Sequence, residues 1–171
     1  MKYPPITLKL LRSKEACSKQ VILFKKYFGA KPVPLNKRIF TKFVSKFDLD
    51  WAADHLLDST DSVEYDTVVL GAALAEYDKV CDACYAKLEK LTNLAYAKYN
   101  KINDTIHAEC KNVKETALTR TKFNKVRNTA YAEYTKVKAT AWLEYDKVSA
   151  DALAEYRNVK VLTFLKLYTA K

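Results

Sequence analysis

The sequence predicts an all-α protein, with a small three-helix N-terminal head followed by a long helical hairpin or coiled coil. An eleven-residue phrase recurs through the C-terminal two thirds, as AEYDKV at 75–80, AEYTKV at 132–137 and LEYDKV at 143–148. Eleven residues fill three α-helical turns almost evenly, so one stripe of such a helix stays apolar over a long distance. Neither Gly nor Pro follows Gly71, so nothing in 72–171 obliges the backbone to leave a helix.

The formal net charge of +10 is unevenly distributed along the 171 residues. Residues 1–47 carry twelve Lys or Arg against the single acid Glu15, whereas 48–71 carry seven acids and no Lys or Arg. The remainder holds eighteen basic and twelve acidic residues. A basic surface attracts phosphates or anionic lipid head groups, and it also serves simply to keep a protein in solution.

Residues 1–60 form the predicted head, which is small enough to need support from the rod. Its helices are marked by residues that favour helix ends. These signals are Ser13 and Gly29 for the first helix, Asn36 for the second, and Asp48 or Asp50 for the third.

Residues 63–171 form the predicted rod. With the leading apolar residue of each repeat as position one, positions one, four, seven and eleven define a stripe about 130° wide. Position one reads Val63, Leu74, Tyr85, Tyr96 and His107, then Arg120, Tyr131, Trp142, Leu153 and Phe164.

The repeat slips once, because position four steps from Cys110 to Phe123, thirteen residues instead of eleven. A thirteen-residue step rotates the stripe by roughly 220°, nearly to the opposite face of a straight helix. A turn at 114–122, where three Thr weaken helix propensity, would instead lay the two halves antiparallel. We expect this hairpin, and the alternative is one unbroken helix that assembles through one face per half.

A stripe this rich in Tyr, Val and Trp must be buried against the other arm or another chain, so we expect a homo-oligomer. The candidate seam and oligomer residues are Tyr77, Val80, Tyr99, Ile102, Phe123, Val126, Tyr134, Val137, Trp142, Tyr145, Val148 and Tyr156.

Repeats of the form Ala-x-Ala-Glu-Tyr-x-Lys-Val resemble those of uncharacterised small proteins from phages and mobile elements of gut bacteria. The head segments 17–24 and 49–57 are similar to part of the same pattern. The resemblance implies no activity. It implies a phage-like origin and, with it, binding to host machinery.

Residues Cys81, Cys84, His107 and Cys110 imitate the two halves of a zinc site. The repeat register is intact between Cys84 and His107, which places them about 35 Å apart on one helix. We therefore expect no metal and no cofactor. Because the chain has two His, no glycine-rich phosphate loop and no nucleophile–base pair, we also expect no catalytic residues and no enzyme activity.

The predicted function is therefore non-catalytic binding of a protein. The alternative is binding of nucleic acid or nucleotide through two basic groups. These candidate residues for an anionic partner are Lys37, Arg38, Lys42 and Lys46 in the head, and Arg120, Lys122, Lys125 and Arg127 in the rod.

We expect an intracellular, cytoplasmic protein without a membrane span. The longest apolar run, 68–75, is far shorter than the roughly twenty residues that cross a bilayer. Charged residues such as Lys9, Arg12 and Lys14 interrupt any signal-peptide core. In that compartment the four Cys are expected to be reduced.

Overall fold

The computed structural model describes residues 3–34, 46–112 and 116–169. The all-α prediction is confirmed, because the described residues form helices and no strand. The helices are α1 (Leu8–Ser13), α2 (Ser18–Phe28), α3 (Leu49–Leu56), α4 (Ser59–Asp66), α5 (Leu74–Asn112) and α6 (Ala117–Thr169), with a π-helical segment, Thr67–Ala73, between α4 and α5.

The chain divides into two compact units. The first unit combines Met1–Asp78 with Ala152–Lys171, and the second is Lys79–Asp151. The domain boundaries expected from the sequence, 1–60 and 63–171, differ from these at both ends of the rod. Residues 63–78 and the C-terminal end of α6, both of which the sequence assigned to the rod, belong to the same unit as the N-terminal helices.

The first two helices differ from the expected head. Ser13 is the last residue of α1 and does not cap a following helix, because its hydroxyl donates to the Leu10 carbonyl of its own helix. Thr7 caps α1 instead, since its side chain accepts from the Leu10 amide. The predicted end of α2 is correct, because Gly29 follows Phe28 with a φ of 68°, a conformation that favours glycine.

Aspartates start the next two helices. The Asp48 carboxylate accepts a hydrogen bond from the Trp51 amide and caps α3, as one of the two predicted alternatives proposed. Asp58 caps α4 in the same way by accepting from the Asp61 amide. The predicted second head helix, 36–47, lies outside the described residues except for Lys46 and Phe47.

The core of the first unit joins residues from distant parts of the chain. Phe24 of α2, Ala53 of α3 and Tyr65 of α4 are buried together with Phe164 and Tyr168 of α6. Burying a large apolar side chain stabilises a fold by roughly 1.5–3 kcal/mol. The last turns of α6 therefore supply much of the support that so small a head requires.

In the second unit, α5 and α6 run antiparallel. As the residue number increases along α5, the residue number of the contacting partner on α6 decreases. Cys81 lies beside Ser149, and Tyr99 lies beside Tyr131. The chain therefore forms the hairpin and not the unbroken helix. Residues 117–122, which the sequence placed in the turn, are instead the first residues of α6. Thr116 caps them by accepting from the Thr119 amide.

Small side chains occupy the centre of the helix contact in the second unit. Ala130 and Ala141, both at repeat position eleven, are buried, and so is Leu88 at position four of α5. The separation of two packed helices depends on the side chains at their contact, so alanine permits a close approach. The aromatic side chains at repeat position one, such as Tyr131 and Trp142, lie at an edge of the stripe and stay partly exposed.

Replacing Ala141 with Leu should destabilise the protein by about 1–3 kcal/mol, because three extra carbons must enter a close helix contact. The measurement is chemical denaturation followed by circular dichroism. Ala139→Leu is the matched control, since Ala139 lies exposed on the same helix and its replacement should change stability by less than about 0.5 kcal/mol. Equal effects of the two substitutions would contradict the close contact at position eleven.

Candidate functional site

Four large aromatic side chains lie exposed on one side of the second unit. Tyr85 and Tyr96 of α5 are 52% and 50% exposed, and Tyr131 and Trp142 of α6 are 53% and 41% exposed. All four occupy repeat position one, at one edge of the apolar stripe. Because the helices run in opposite directions, this edge lies on the same side of the pair in both. We call this surface the aromatic face.

Valines mark the opposite side of the second unit. Val126 and Val137 occupy repeat position seven of α6, at the other edge of the stripe, and both are exposed. A salt bridge between Lys87 and Glu144 crosses the helices near this edge, with a nitrogen–oxygen distance of 2.5 Å. The hydrogen bond with Glu144 raises the pKa of Lys87. The two sides of the hairpin therefore differ in chemistry, one aromatic and the other aliphatic.

Ring contacts across the helices hold part of the aromatic face in place. Tyr96 and Tyr99 of α5 pack against Tyr131 and Tyr134 of α6, with ring centroids 5.6–6.3 Å apart. Such aromatic pairs contribute about 0.5–1.5 kcal/mol beyond the area that they bury. The cluster keeps the partly exposed rings in a defined orientation, which is a property of binding surfaces that lose little entropy on contact.

A groove of about 310 Å³ lies on the aromatic face between α5 and α6. Buried Leu88 forms part of its lining, together with Tyr96 and Trp142. Glu89 of α5 and Lys138 of α6 place an anion and a cation on its two sides. Within the described part of the chain neither of these two charged side chains has an ion-pair partner.

The residues predicted to bind an anionic partner are not brought together by the described structure. Lys37, Arg38 and Lys42 lie outside the described residues. Lys46 lies over the Tyr27 ring at 5.8 Å from its centroid.

The four candidates of the rod occupy the first turns of α6 and are exposed. Arg120 and Arg127, seven residues apart, lie on one face of this helix. Lys122 and Lys125 point to other sides, since they are rotated by roughly 140–200° from Arg120. The Arg127 guanidinium donates to the Asn124 side-chain oxygen at 3.1 Å. The four cations therefore form no single patch.

Most of the predicted seam residues are only partly buried. Tyr99, Tyr134, Tyr145 and Val148 of the second unit are half-buried, whereas Val126, Val137 and Trp142 are exposed. The half-buried residues that complete the predicted seam are Val80, Ile102 and Phe123 in the second unit, and Tyr77 and Tyr156, whose rings pack 5.9 Å apart in the first.

The four residues whose spacing resembles a zinc site form two separate pairs on α5, Cys81 with Cys84 and His107 with Cys110. Cys81 and Cys84 are half-buried, and the Cys81 sulfur lies 3.8 Å from the Ser149 hydroxyl. Cys110 is exposed, as is His107. The structure, over the ranges that it describes, contains no group of three or more His, Cys, Asp or Glu side chains placed to hold a metal ion.

The acidic stretch 48–71 is engaged inside the first unit. Asp50 accepts a hydrogen bond from the buried Tyr65 hydroxyl and from Lys160 of α6, at 3.1 and 2.6 Å. Glu64 forms a salt bridge with Lys166 at 3.1 Å. Burial and the nearby Asp50 raise the pKa of Tyr65. These carboxylates contribute to folding, and the sequence offered no pairing with α6 because the partners lie about a hundred residues away.

Tyrosines also join the two ends of the first unit. The Tyr3 hydroxyl donates to Asp61 at 2.8 Å, and the Tyr3 ring stacks on Tyr168 with centroids 4.9 Å apart. The Tyr168 hydroxyl donates to the Pro4 carbonyl. Burial raises the pKa of Tyr168 to about 12.

Comparison with known proteins identifies no relative. No protein-family model matches the chain, and neither a curated protein nor a solved structure is significantly similar to it. The resemblance of the repeats to small phage proteins therefore stays a prediction from the sequence. Within the described ranges, none of the helices combines the length and the apolarity that a membrane crossing requires.

The raised pKa of Tyr168 predicts a loss of stability in alkali. The pKa of tyrosine is near 10 in the unfolded chain, and that of folded Tyr168 is about 12. The protonated Tyr168 therefore contributes fully to the free energy of unfolding below pH 10, and this contribution is lost as the pH rises to about 12. The two-unit difference corresponds to roughly 2–3 kcal/mol. Tyr168→Phe should reduce this decline, while costing about 1 kcal/mol at pH 8 through the lost hydrogen bond to Pro4.

Urea denaturation at several pH values between 8 and 12 measures both effects. Tyr131→Phe controls for the loss of a tyrosine, because Tyr131 lies exposed on the second unit. An alkaline decline that is the same in Tyr168→Phe and the wild type would contradict the assignment to Tyr168.

Proposed function

We propose that this chain is a non-catalytic helical protein that acts by binding another protein through its aromatic face. The observation that supports this function is the set of exposed aromatic rings Tyr85, Tyr96, Tyr131 and Trp142 on one side of the second unit. Exposed apolar patches bordered by polar residues are typical of protein–protein contact sites. Tyr and Trp are also the residues that most often dominate binding energy at such sites.

The chemistry of the surrounding residues favours a protein partner over a purely apolar or a purely anionic partner. Glu89 and Lys138 bring opposite charges to the groove, and Thr92 and Asn93 are neutral polar residues of its lining. Mixed charges with tyrosine and tryptophan are characteristic of protein interfaces. Because the repeats resemble those of phage proteins, a protein of the host cell is one candidate partner.

A photo-crosslinking amino acid tests this proposal. Benzoylphenylalanine in place of Tyr131 should give a protein adduct several-fold more abundant than the same residue in place of Lys136. Both positions are exposed on α6, but only Tyr131 lies on the aromatic face. The mass of the adduct, in purified protein and in bacterial lysate, identifies the partner. Equal yields at both positions, or adducts with nucleic acid alone, would contradict protein binding through this face.

Polyanion binding is the second candidate, because two lysines meet at one ring of the first unit. Lys26 and Lys46 lie 5.9 and 5.8 Å from the Tyr27 centroid. Both are exposed, and Lys46 borders the segment that contains Lys37, Arg38 and Lys42. Cations next to an aromatic ring can contact both a phosphate and a base, as in single-strand binding proteins.

The double substitution Lys26→Glu and Lys46→Glu should weaken binding to a single-stranded oligonucleotide at least about tenfold in low salt. It should also lower the slope of log K against log salt by about one to two, because fewer counterions are released. Fluorescence anisotropy at several salt concentrations gives both values. Lys90→Glu with Lys101→Glu changes the net charge equally from exposed sites of the second unit. The same loss in this control, or no binding by the wild type, would contradict a local site.

A further inference from the structure

We propose that the aromatic face binds the aromatic face of a second copy of this chain, related by a two-fold axis parallel to α5 and α6 of the second unit. The result is a four-helix arrangement in which α5 of each copy faces α6 of the other. This inference rests on the proposed function, because it names the protein that the aromatic face binds.

The aromatic face is large enough to hold a dimer. The part of α5 in the second unit, 79–112, is roughly 50 Å long at 1.5 Å per residue, and two adjacent helices are about 20 Å wide. One side of this unit therefore presents roughly 1,000 Å². A stable interface buries about 800 Å² on each partner, so the face meets this requirement without a contribution from other parts of the chain.

The positions of the charges favour one two-fold axis over the other. Glu89 lies on the α5 side of the groove and Lys138 on the α6 side. An axis parallel to the helices exchanges these sides, so Lys138 of each copy lies opposite Glu89 of the other. An axis perpendicular to the helices and centred on the groove sets α6 on α6, which brings the two Lys138 ammonium groups together. Like charges oppose such a contact.

The aromatic residues fit the same axis. Ring contacts of Tyr96 with Tyr134, and of Tyr99 with Tyr131, show that Tyr96 and Tyr131 lie at nearly the same level of the hairpin. Exchange of the two sides therefore sets Tyr96 of one copy against Tyr131 of the other. The contact of Tyr85 with Tyr145, which also packs on Trp142, places Tyr85 and Trp142 at a second common level. Each level contributes two aromatic contacts to the dimer.

Charge reversal at the two sides of the groove tests the arrangement. Glu89→Lys alone and Lys138→Glu alone each place like charges in both pairs of a homodimer, so each should weaken dimerisation at least about tenfold. An equimolar mixture of the two variants should recover dimers, because every pair in the mixed dimer then has opposite charges. Sedimentation velocity gives the dissociation constants, and native mass spectrometry with one variant tagged identifies the mixed dimer.

The control variants are Glu133→Lys and Lys136→Glu. Both residues are exposed on α6 outside the aromatic face, and their reversal should leave the dissociation constant of the wild type unchanged. Circular dichroism checks the helix content of every variant. If a charge reversal lowers the helix content, the double variant Glu89→Gln with Lys138→Gln is used in place of the two single variants. Because this double variant lacks both charge pairs, its dimer should be about threefold weaker or more.

Three results would overturn this inference. These are a wild-type chain that stays monomeric at 100 µM, single variants that dimerise as the wild type does, and a mixture that does not recover. If the chain is monomeric but a different protein crosslinks at Tyr131, the inference fails while the proposed function stands. If no protein crosslinks there at all, both fail.

Discussion

The close packing of α5 on α6 through small side chains is the constraint on which the second unit depends. Two helices with a stripe about 130° wide cannot cover both stripes completely, because their contact is narrower than the stripe. Alanine at position eleven of α6, at Ala130 and Ala141, brings the helices together along the centre of the stripes. Position one then lies at an edge, where a ring such as Tyr131 or Trp142 is buried on one side and exposed on the other.

The first unit depends on a different interaction, the return of α6 to the N-terminal helices. Phe164, Leu165 and Tyr168 fill a core that α2, α3 and α4 begin. Lys160 and Lys166 of the same segment neutralise Asp50 and Glu64. The paired charges are partly exposed, so they contribute less to stability than the apolar contacts do. They also oppose alternative registers of α6, since a shift of a few residues would separate both pairs.

The helical content and the reversal of the chain could be predicted from the sequence because both follow from local and periodic features. The eleven-residue register and the thirteen-residue step at Cys110 and Phe123 indicated two long helices that fold back. Helix ends were predictable at Gly29, and the start of α3 was narrowed to Asp48 or Asp50. The predicted cap at Ser13 was wrong because Ser13 is the last residue of α1, and the next helix begins only at Ser18.

The candidate site was only partly predictable. The sequence identified Trp142 and Tyr134 as members of the stripe, but periodicity does not say which positions a partner helix covers. Which positions the partner helix covers depends on the size of the side chains at the contact. The recurrence of alanine at position eleven was the sequence feature that could have indicated this contact. Tyr85, Tyr96 and Tyr131 were recognisable as position-one residues, yet their common side became evident only from the antiparallel direction of the helices.

The shared core of the first unit has a consequence for synthesis on the ribosome. The segment that ends at Asp78 is synthesised well before Phe164 and Tyr168, which complete its core. At about 5–20 residues per second, the interval between Asp78 and Phe164 is roughly 4–17 s. During this time Tyr65 and Val69 lack their final neighbours. Until α6 is complete, the apolar side chains that it covers in the folded first unit stay accessible to other proteins, including chaperones.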